Sequence, residues 1–272
     1  MVLEPEEFRR FERAGWEGIP AQYHQVFGEL TAQAIEPLLD AVRLKQGMTF
    51  LDVASGPGYV AAAAARRGAT VLGVDFSAAM IDHAARLHPG VEFRQGDAER
   101  LPLGNGLFDA AAMNFGILHF AHPEKALGEA YRVLRSEGRF AFSVWCNPKE
   151  TVGFDIVLRA VELHGESRVD LPEGPPFFRY SDPEECARGL IAAGFESPKV
   201  TKVSQRWRLP AGDGLFDAMK DGTVRTAGLL RAQTPPVLEK IRQAMREEIE
   251  KHTGKGVVDL PMPALIASAV KR

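Results

Sequence analysis

Three aspartates and one pair of glycines stand where an α/β protein does its chemistry. The first group is Asp52 with Ala54-Ser55-Gly56-Pro57-Gly58 behind it. Glycines let a chain turn sharply and let a ligand approach the backbone. A helix beginning directly after them aims its free N–H groups at the same point and favours an anion or a carboxylate. Gly56-Pro57-Gly58-Tyr59-Val60-Ala61 also fits the G-x-G-x-x-A spacing of dinucleotide sites, a pattern too short to decide anything alone. Asp75 follows 19 positions after Gly56. A carboxylate there can accept hydrogen bonds from two adjacent ribose hydroxyls, as an adenosine requires. Asp97 lies in Gln95-Gly96-Asp97-Ala98-Glu99, just ahead of the apolar Leu101-Pro102-Leu103. An acid beside an apolar stretch suits the amine and the faces of an adenine. A pyrophosphate lying along the glycine turn has no use for it.

For these residues to meet, each must end a strand of one sheet. Residues 48–53 are a short apolar run, and a helix is expected from Tyr59 to about Arg67, closed by Gly68. Residues 70–74 form a second strand, and Ser77 caps a helix running to about Leu87. Strands follow at 91–94, 108–114 and 138–145, with a helix at 123–134 that carries proline in its first turn. Such alternation implies right-handed crossovers and a parallel sheet, with ligands at the carboxyl ends of the strands. Beyond 146 the alternation loosens. Helices are expected at 150–164 and 183–193, a loop at 171–178, strands at 200–209 and 264–270, and helices across 213–253 with breaks at Gly222 and Pro235-Pro236. Residues 1–46 read as helix. Tyr23, Phe27, Leu30, Ala34, Leu38 and Val42 make one apolar stripe along 22–44. The fold expected is α/β, a doubly wound, mostly parallel seven-stranded sheet of Rossmann-like type. N-terminal helices (1–46) form a lid on the core (47–146). Residues 147–272 complete the same domain and add a helical cap at about 213–253.

A chain of 272 residues, 45% apolar and 25% charged, buries a full core without staples. Its 33 basic and 36 acidic side chains leave a net charge of −3, which argues against a broad nucleic-acid or anionic-membrane surface. Cys146 and Cys186 are too few for a disulfide framework or a multi-cysteine zinc site and fit reduced thiols in a cytoplasmic protein. The acidic start is no signal peptide, and no apolar run reaches the roughly 18 residues of a membrane span. The seven histidines are scattered, so no metal is expected. The chain reads as a monomer or homodimer.

Four runs taken in order add a resemblance. They are Phe50-Leu51-Asp52-Val53-Ala54-Ser55-Gly56-Pro57-Gly58, Val74-Asp75-Phe76-Ser77-Ala78-Ala79-Met80, Gly96-Asp97-Ala98-Glu99-Arg100-Leu101-Pro102, and Arg132-Val133-Leu134-Arg135-Ser136-Glu137-Gly138-Arg139. Together they resemble class I S-adenosylmethionine-dependent methyltransferases, and most of all the group containing the ubiquinone and menaquinone biosynthesis methyltransferases. The motifs cover about 46–146, and 177–200 is similar to that group's C-terminal half. The resemblance implies S-adenosylmethionine as cofactor. Asp52 and the backbone from Ala54 through Ser55 and Gly56 to Gly58 would hold its methionine part. Asp75 would bind ribose, Phe76 and Met80 would flank the adenine, and Asp97 and Ala98 would meet the adenine edge. Asn114 and Phe115 would face the methionine end and the sulfonium, with Tyr23 in the lid above. One departure is Ala54, which replaces the first of the usual three glycines. Its methyl is accommodated if its φ stays negative.

Methyl transfer to a small-molecule acceptor is an in-line displacement at the sulfonium methyl. The protein aligns a nucleophile about 3 Å from that carbon and excludes water. His119, five residues past Asn114, is placed to act as general base where the acceptor must lose a proton. Trp145, Phe27, Phe178 and Arg225, with Phe177, are candidate walls of the acceptor pocket. Two other readings stay open. One is a catalytically silent S-adenosylmethionine-binding protein. The other is a NAD(P)-dependent oxidoreductase, which rests on the glycine spacing and Asp75.

Overall fold

The computed structural model describes residues 4–272. Its strands are β1 (Thr49–Val53), β2 (Thr70–Asp75), β3 (Glu92–Gln95), β4 (Phe108–Asn114), β5 (Leu134–Trp145), β6 (Glu196–Val203), β7 (Arg206–Pro210), β8 (Thr253–Gly254), β9 (Val257–Pro261) and β10 (Ala264–Val270). Seven of them make one sheet in the order β3-β2-β1-β4-β5-β10-β6. The pairs from β3 to β5 are parallel, and β10 runs antiparallel to both β5 and β6. Strand order reverses between β1 and β4. These two strands are apolar runs buried on both faces, as parallel strands under helices must be.

The helices are α1 (Pro5–Gly18), α2 (Pro20–Ala32), α3 (Ile35–Ala41), α4 (Tyr59–Arg66), α5 (Ala78–Leu87), α6 (Pro123–Val133), α7 (Val152–His164), α8 (Pro183–Ala192), α9 (Gly214–Gly222), α10 (Arg225–Arg231) and α11 (Pro235–Glu250). The expected cap at Ser77 is in place, and a second cap stands at Asp182. Ser77 accepts from the Met80 N–H at the start of α5, and Asp182 accepts from the Glu184 N–H at the start of α8.

Two expectations need correction. The apolar stripe of 22–44 spans two helices, not one. The chain breaks at Gln33-Ala34, but both residues stay in right-handed helical φ/ψ, so the burial period passes through the break unchanged. Residues 200–209 are likewise two strands in two sheets. At Gln205 the chain leaves the main sheet, anchored by Gln205 Nε2 donating to the Leu30 carbonyl (3.1 Å) and by the Met262 N–H donating to the Gln205 carbonyl (2.9 Å). β7 then joins β9 and β8 in a three-stranded antiparallel sheet that the sequence reading lacks. Alternation with period two looks the same on either side of such a crossing, because it records burial and not the partner strand.

α1 and α2 lie across the carboxyl ends of the strands. α2 is held against the second half of the chain by Trp207 Nε1 donating to the Val26 carbonyl at 2.8 Å. It also packs tightly on α9, where a Cβ at Gly222 would sit 2.3 Å from a Val26 methyl. α1 reaches the sheet's outer edge. The Ala78 and Ala79 N–H groups opening α5 donate to Glu17 (2.8 and 2.9 Å), and Arg9 donates to Glu99 at 2.5 Å.

Candidate functional site

A cavity of about 1030 Å³, counting its open mouth, lies where β1 and β4 diverge. It stands at the position where open α/β sheets bind ligands. Its walls differ from end to end: the loops after β1 and β2 line one end, and aromatic side chains with residues 222–226 line the other.

At the first end Asp52 is fully buried. Its Oδ2 accepts from the Ala61 N–H at 2.9 Å, and its Oδ1 has no partner among the described residues. Burial pushes its carboxyl up to about 8, with the charge of Asp75 adding to the effect. Asp75 accepts from the Gly56 N–H (2.8 Å) and the Ser77 N–H (2.9 Å), so its two oxygens are fixed in direction. Burial lifts it to about 6, against the pull of those two N–H groups. Gly56 has φ 49, and a Cβ there would meet nothing within 4 Å, so the backbone opens onto free space. An orphaned buried acceptor, a doubly oriented carboxylate and an open glycine turn match the ammonium, ribose and chain of S-adenosylmethionine. Phe76 and Met80 line the same end, together with Ser55 and Tyr59.

The Ala54 expectation fails: its φ is 53, not negative. The turn needs a left-handed residue here, and alanine costs about 1–2 kcal/mol in that conformation. Phe115, at φ 57 on the neighbouring strand end, carries the same strain. The two loops touch, since a Cβ on Gly116 would lie 2.7 Å from the Ala54 methyl. Phe115 stacks on Trp145 with ring centroids 4.0 Å apart. Asn114 is pinned, donating to the Thr31 carbonyl at 3.2 Å while accepting from the Ser143 hydroxyl at 2.6 Å.

At the second end His119 Nδ1 lies 3.0 Å from Glu12 Oε2, which also accepts from Trp16 Nε1 at 3.0 Å. Glu12 is fully buried, and its Oε1 has no partner among the described residues. With Nδ1 engaged by a carboxylate, the tautomer that keeps its proton there leaves Nε2 as an acceptor. Tyr23, Phe27, Trp145, Phe177 and Arg225 line the cavity as well. Burial raises the Tyr23 hydroxyl above its ordinary range.

Four expected site residues fall outside the cavity wall. Gly58 caps α4 at φ 80, where a Cβ would strike the Phe93 ring. Asp97 turns away and accepts from the Glu99 N–H at 2.8 Å, with Arg9 at 3.6 Å on its other oxygen. Ala98 is buried beneath it. Phe178 stands behind the wall against Phe154 and Phe177, with centroids 5.6 and 5.0 Å away. Conversely, Glu12, Trp16, Thr31 and Phe154 went unnamed in the sequence. Glu12 had left a signal: it sits one turn from Phe8 and one turn from Trp16, an acid on an apolar helix face. Among the described residues no cluster could hold a metal ion, and no helix is long and apolar enough to cross a membrane.

Residues 51–142 match the family model described as a methyltransferase domain. The demethylmenaquinone methyltransferase of Paenarthrobacter aurescens is 35% identical over 41% of this chain and 44% of its own length. That of Streptomyces griseus is 32% identical over 62% of this chain and 74% of its own. The chain spans about half the length of the curated relatives that head the comparison. Among solved structures, Haemonchus contortus phosphoethanolamine N-methyltransferase 2, in complex with S-adenosylhomocysteine, superposes with a TM-score of 0.58 at 18% identity, over 97% of this chain and 60% of that one. The [4+2]-cyclase SpnF superposes at 0.52 and 21% identity, covering 88% of this chain and 80% of that one. Sheet order, the glycine turn with its two buried aspartates, and these relatives agree: the chain belongs to the class I S-adenosylmethionine-dependent methyltransferases, of the menaquinone and ubiquinone type.

Proposed function

We propose that this chain transfers a methyl group from S-adenosylmethionine to a small, flat, largely apolar acceptor. The observation that carries this reading is one cavity with two unlike ends, a carboxylate-and-glycine end and an aromatic end, meeting at Asn114 and Phe115. When bound, the cofactor supplies an electrophilic methyl on its sulfonium, open to in-line displacement. Asp52 and the turn through Ala54, Ser55 and Gly56 hold the methionine part, and Asp75 takes the ribose hydroxyls. Phe76 and Met80 enclose the adenine. Phe115 and Trp145 stack to form the floor beneath the reacting centre. Trp16, Tyr23 and Phe27 close it from above, so residues 4–46 act as a lid and residues 213–253 shut the acceptor end. His119, oriented by Glu12, takes the acceptor's proton at Nε2. The names of the relatives, which act on demethylmenaquinone, support an acceptor of small-molecule size.

Calorimetric titration tests the cofactor. S-adenosylmethionine and S-adenosylhomocysteine bind at micromolar concentration and NADH does not; binding of NADH alone overturns the reading. The same titration carries a pH signature. Asp52 is raised above its unfolded value, so in the free protein it holds its proton at neutral pH. It must lose that proton to accept an ammonium. Cofactor affinity therefore climbs by up to about tenfold per pH unit toward 8, and falls above it as the α-amino group, with a pKa of about 7.7–8.0, gives up its charge. Asp52→Asn flattens the rising limb. A flat profile in the unmodified protein removes Asp52 from the ammonium site.

A further inference from the structure

Arg225 opens α10 and lines the aromatic end of the cavity. Of its five N–H donors, those on Nη1 reach the Pro175 carbonyl at 3.0 Å, and the guanidinium forms no ion pair among the described residues. Its carbon lies 5.1 Å from the centre of the Phe8 ring and 5.7 Å from that of Phe177. Burial works against its charge, and the field of Glu12 offsets this in part. Glu12 itself is already held by Trp16 and His119. Aromatic faces stabilise a cation modestly, and a half-buried guanidinium without a counter-ion leaves a strong preference for an anion unmet.

We infer that Arg225 selects the acceptor, binding an anionic group, a carboxylate, carried by a small aromatic molecule. The inference rests on the methyltransferase reading and adds the acceptor's charge to it. Shape and charge agree. A guanidinium presents a planar fork that fits a carboxylate through two parallel hydrogen bonds, which a lysine cannot copy. Phe177 touches both ends of the arrangement: Arg225 lies over its face, and the His119 ring centre is 6.0 Å away. A single ring seated beside Phe177 thus meets the guanidinium at one edge and the imidazole at another. One edge carries the anion and the other the nucleophile. An acceptor without charge would leave the guanidinium without an ion-pair partner.

The test uses the protein loaded with S-adenosylhomocysteine and two isosteric probes, 4-hydroxybenzoate and 4-hydroxybenzamide, with 2- and 3-hydroxybenzoate to vary the geometry. At least one hydroxybenzoate is expected to bind ten times or more tighter than the amide. Arg225→Gln brings that ratio near one while S-adenosylhomocysteine affinity stays at the wild-type value. Arg225→Lys, which keeps the charge and loses the fork, cuts the ratio several-fold and serves if the glutamine variant does not fold. Equal affinity for acid and amide in the wild type overturns the inference, as does a preference that survives in both variants, or no binding by any of the three acids. Failure of S-adenosylhomocysteine to bind the wild type sinks the methyltransferase reading instead, so the two failures are told apart.

Discussion

Replacing Asp75 by alanine weakens S-adenosylhomocysteine binding by about a hundredfold or more. The carboxylate sits at the end of β2 with both oxygens already directed by the Gly56 and Ser77 N–H groups. Each oxygen keeps a lone pair for a ribose hydroxyl. A hydrogen bond to a charged group contributes about 1.5–3 kcal/mol net, and tenfold in affinity corresponds to about 1.4 kcal/mol, so two lost bonds already exceed the hundredfold. The glycine turn also loses the anchor of its Gly56 N–H, which spreads the damage to the methionine end. Folding should suffer much less. A buried carboxyl raised to about 6 disfavours the folded state above its unfolded value near 3.8, so its removal takes away a cost as well as two hydrogen bonds. Asp75→Asn falls between alanine and wild type, since one amide oxygen still accepts. Calorimetry beside a melting curve reads both effects. Affinity within threefold of wild type, with the fold intact, would remove Asp75 from the ribose site.

His119→Ala leaves cofactor affinity where it was and slows methyl transfer by about 10² to 10⁴, the usual contribution of a positioned base. The expectation rests on the pairing with a fully buried Glu12, which fixes the ring through Nδ1. The deficit narrows at alkaline pH, where the acceptor ionises unaided, and this narrowing separates a lost base from a damaged pocket. Glu12→Gln shifts the pH profile with a smaller loss of rate. Turnover equal to wild type across the pH range, with a dissociable acceptor, rules His119 out.

Much of the sheet was legible in the sequence because its signals are local. The strands at 108–114 and 264–270 stand at the expected positions, and Ser77 caps the helix it announces. The site was legible where a residue type has one purpose at a strand end, as Asp52, Gly56 and Asp75 do. What escaped was set by partners distant in sequence. Nothing local tells Arg206 to leave one sheet for another, since the choice is made by Asp259 and its neighbours on β9. Asp97 is drawn away from the cavity toward Arg9, about ninety residues earlier. Ala54 misled for a different reason. Its side chain gives no sign of a left-handed backbone, which the hydrogen bond from the Ser55 N–H to the Val74 carbonyl holds in place from outside.

The fastening of α2 bears on the order in which the molecule assembles. Its ties run from Val26 to Trp207, Leu30 to Gln205 and Gln33 to Arg206, across 181, 175 and 173 positions. Closing so long a loop carries a large entropic cost, and contacts of that span form slowly. Most of the parallel sheet is complete by Trp145, whereas the wall that encloses the cavity waits for residues made sixty positions later. α2 therefore takes its final place only once residues 205–207 have joined it.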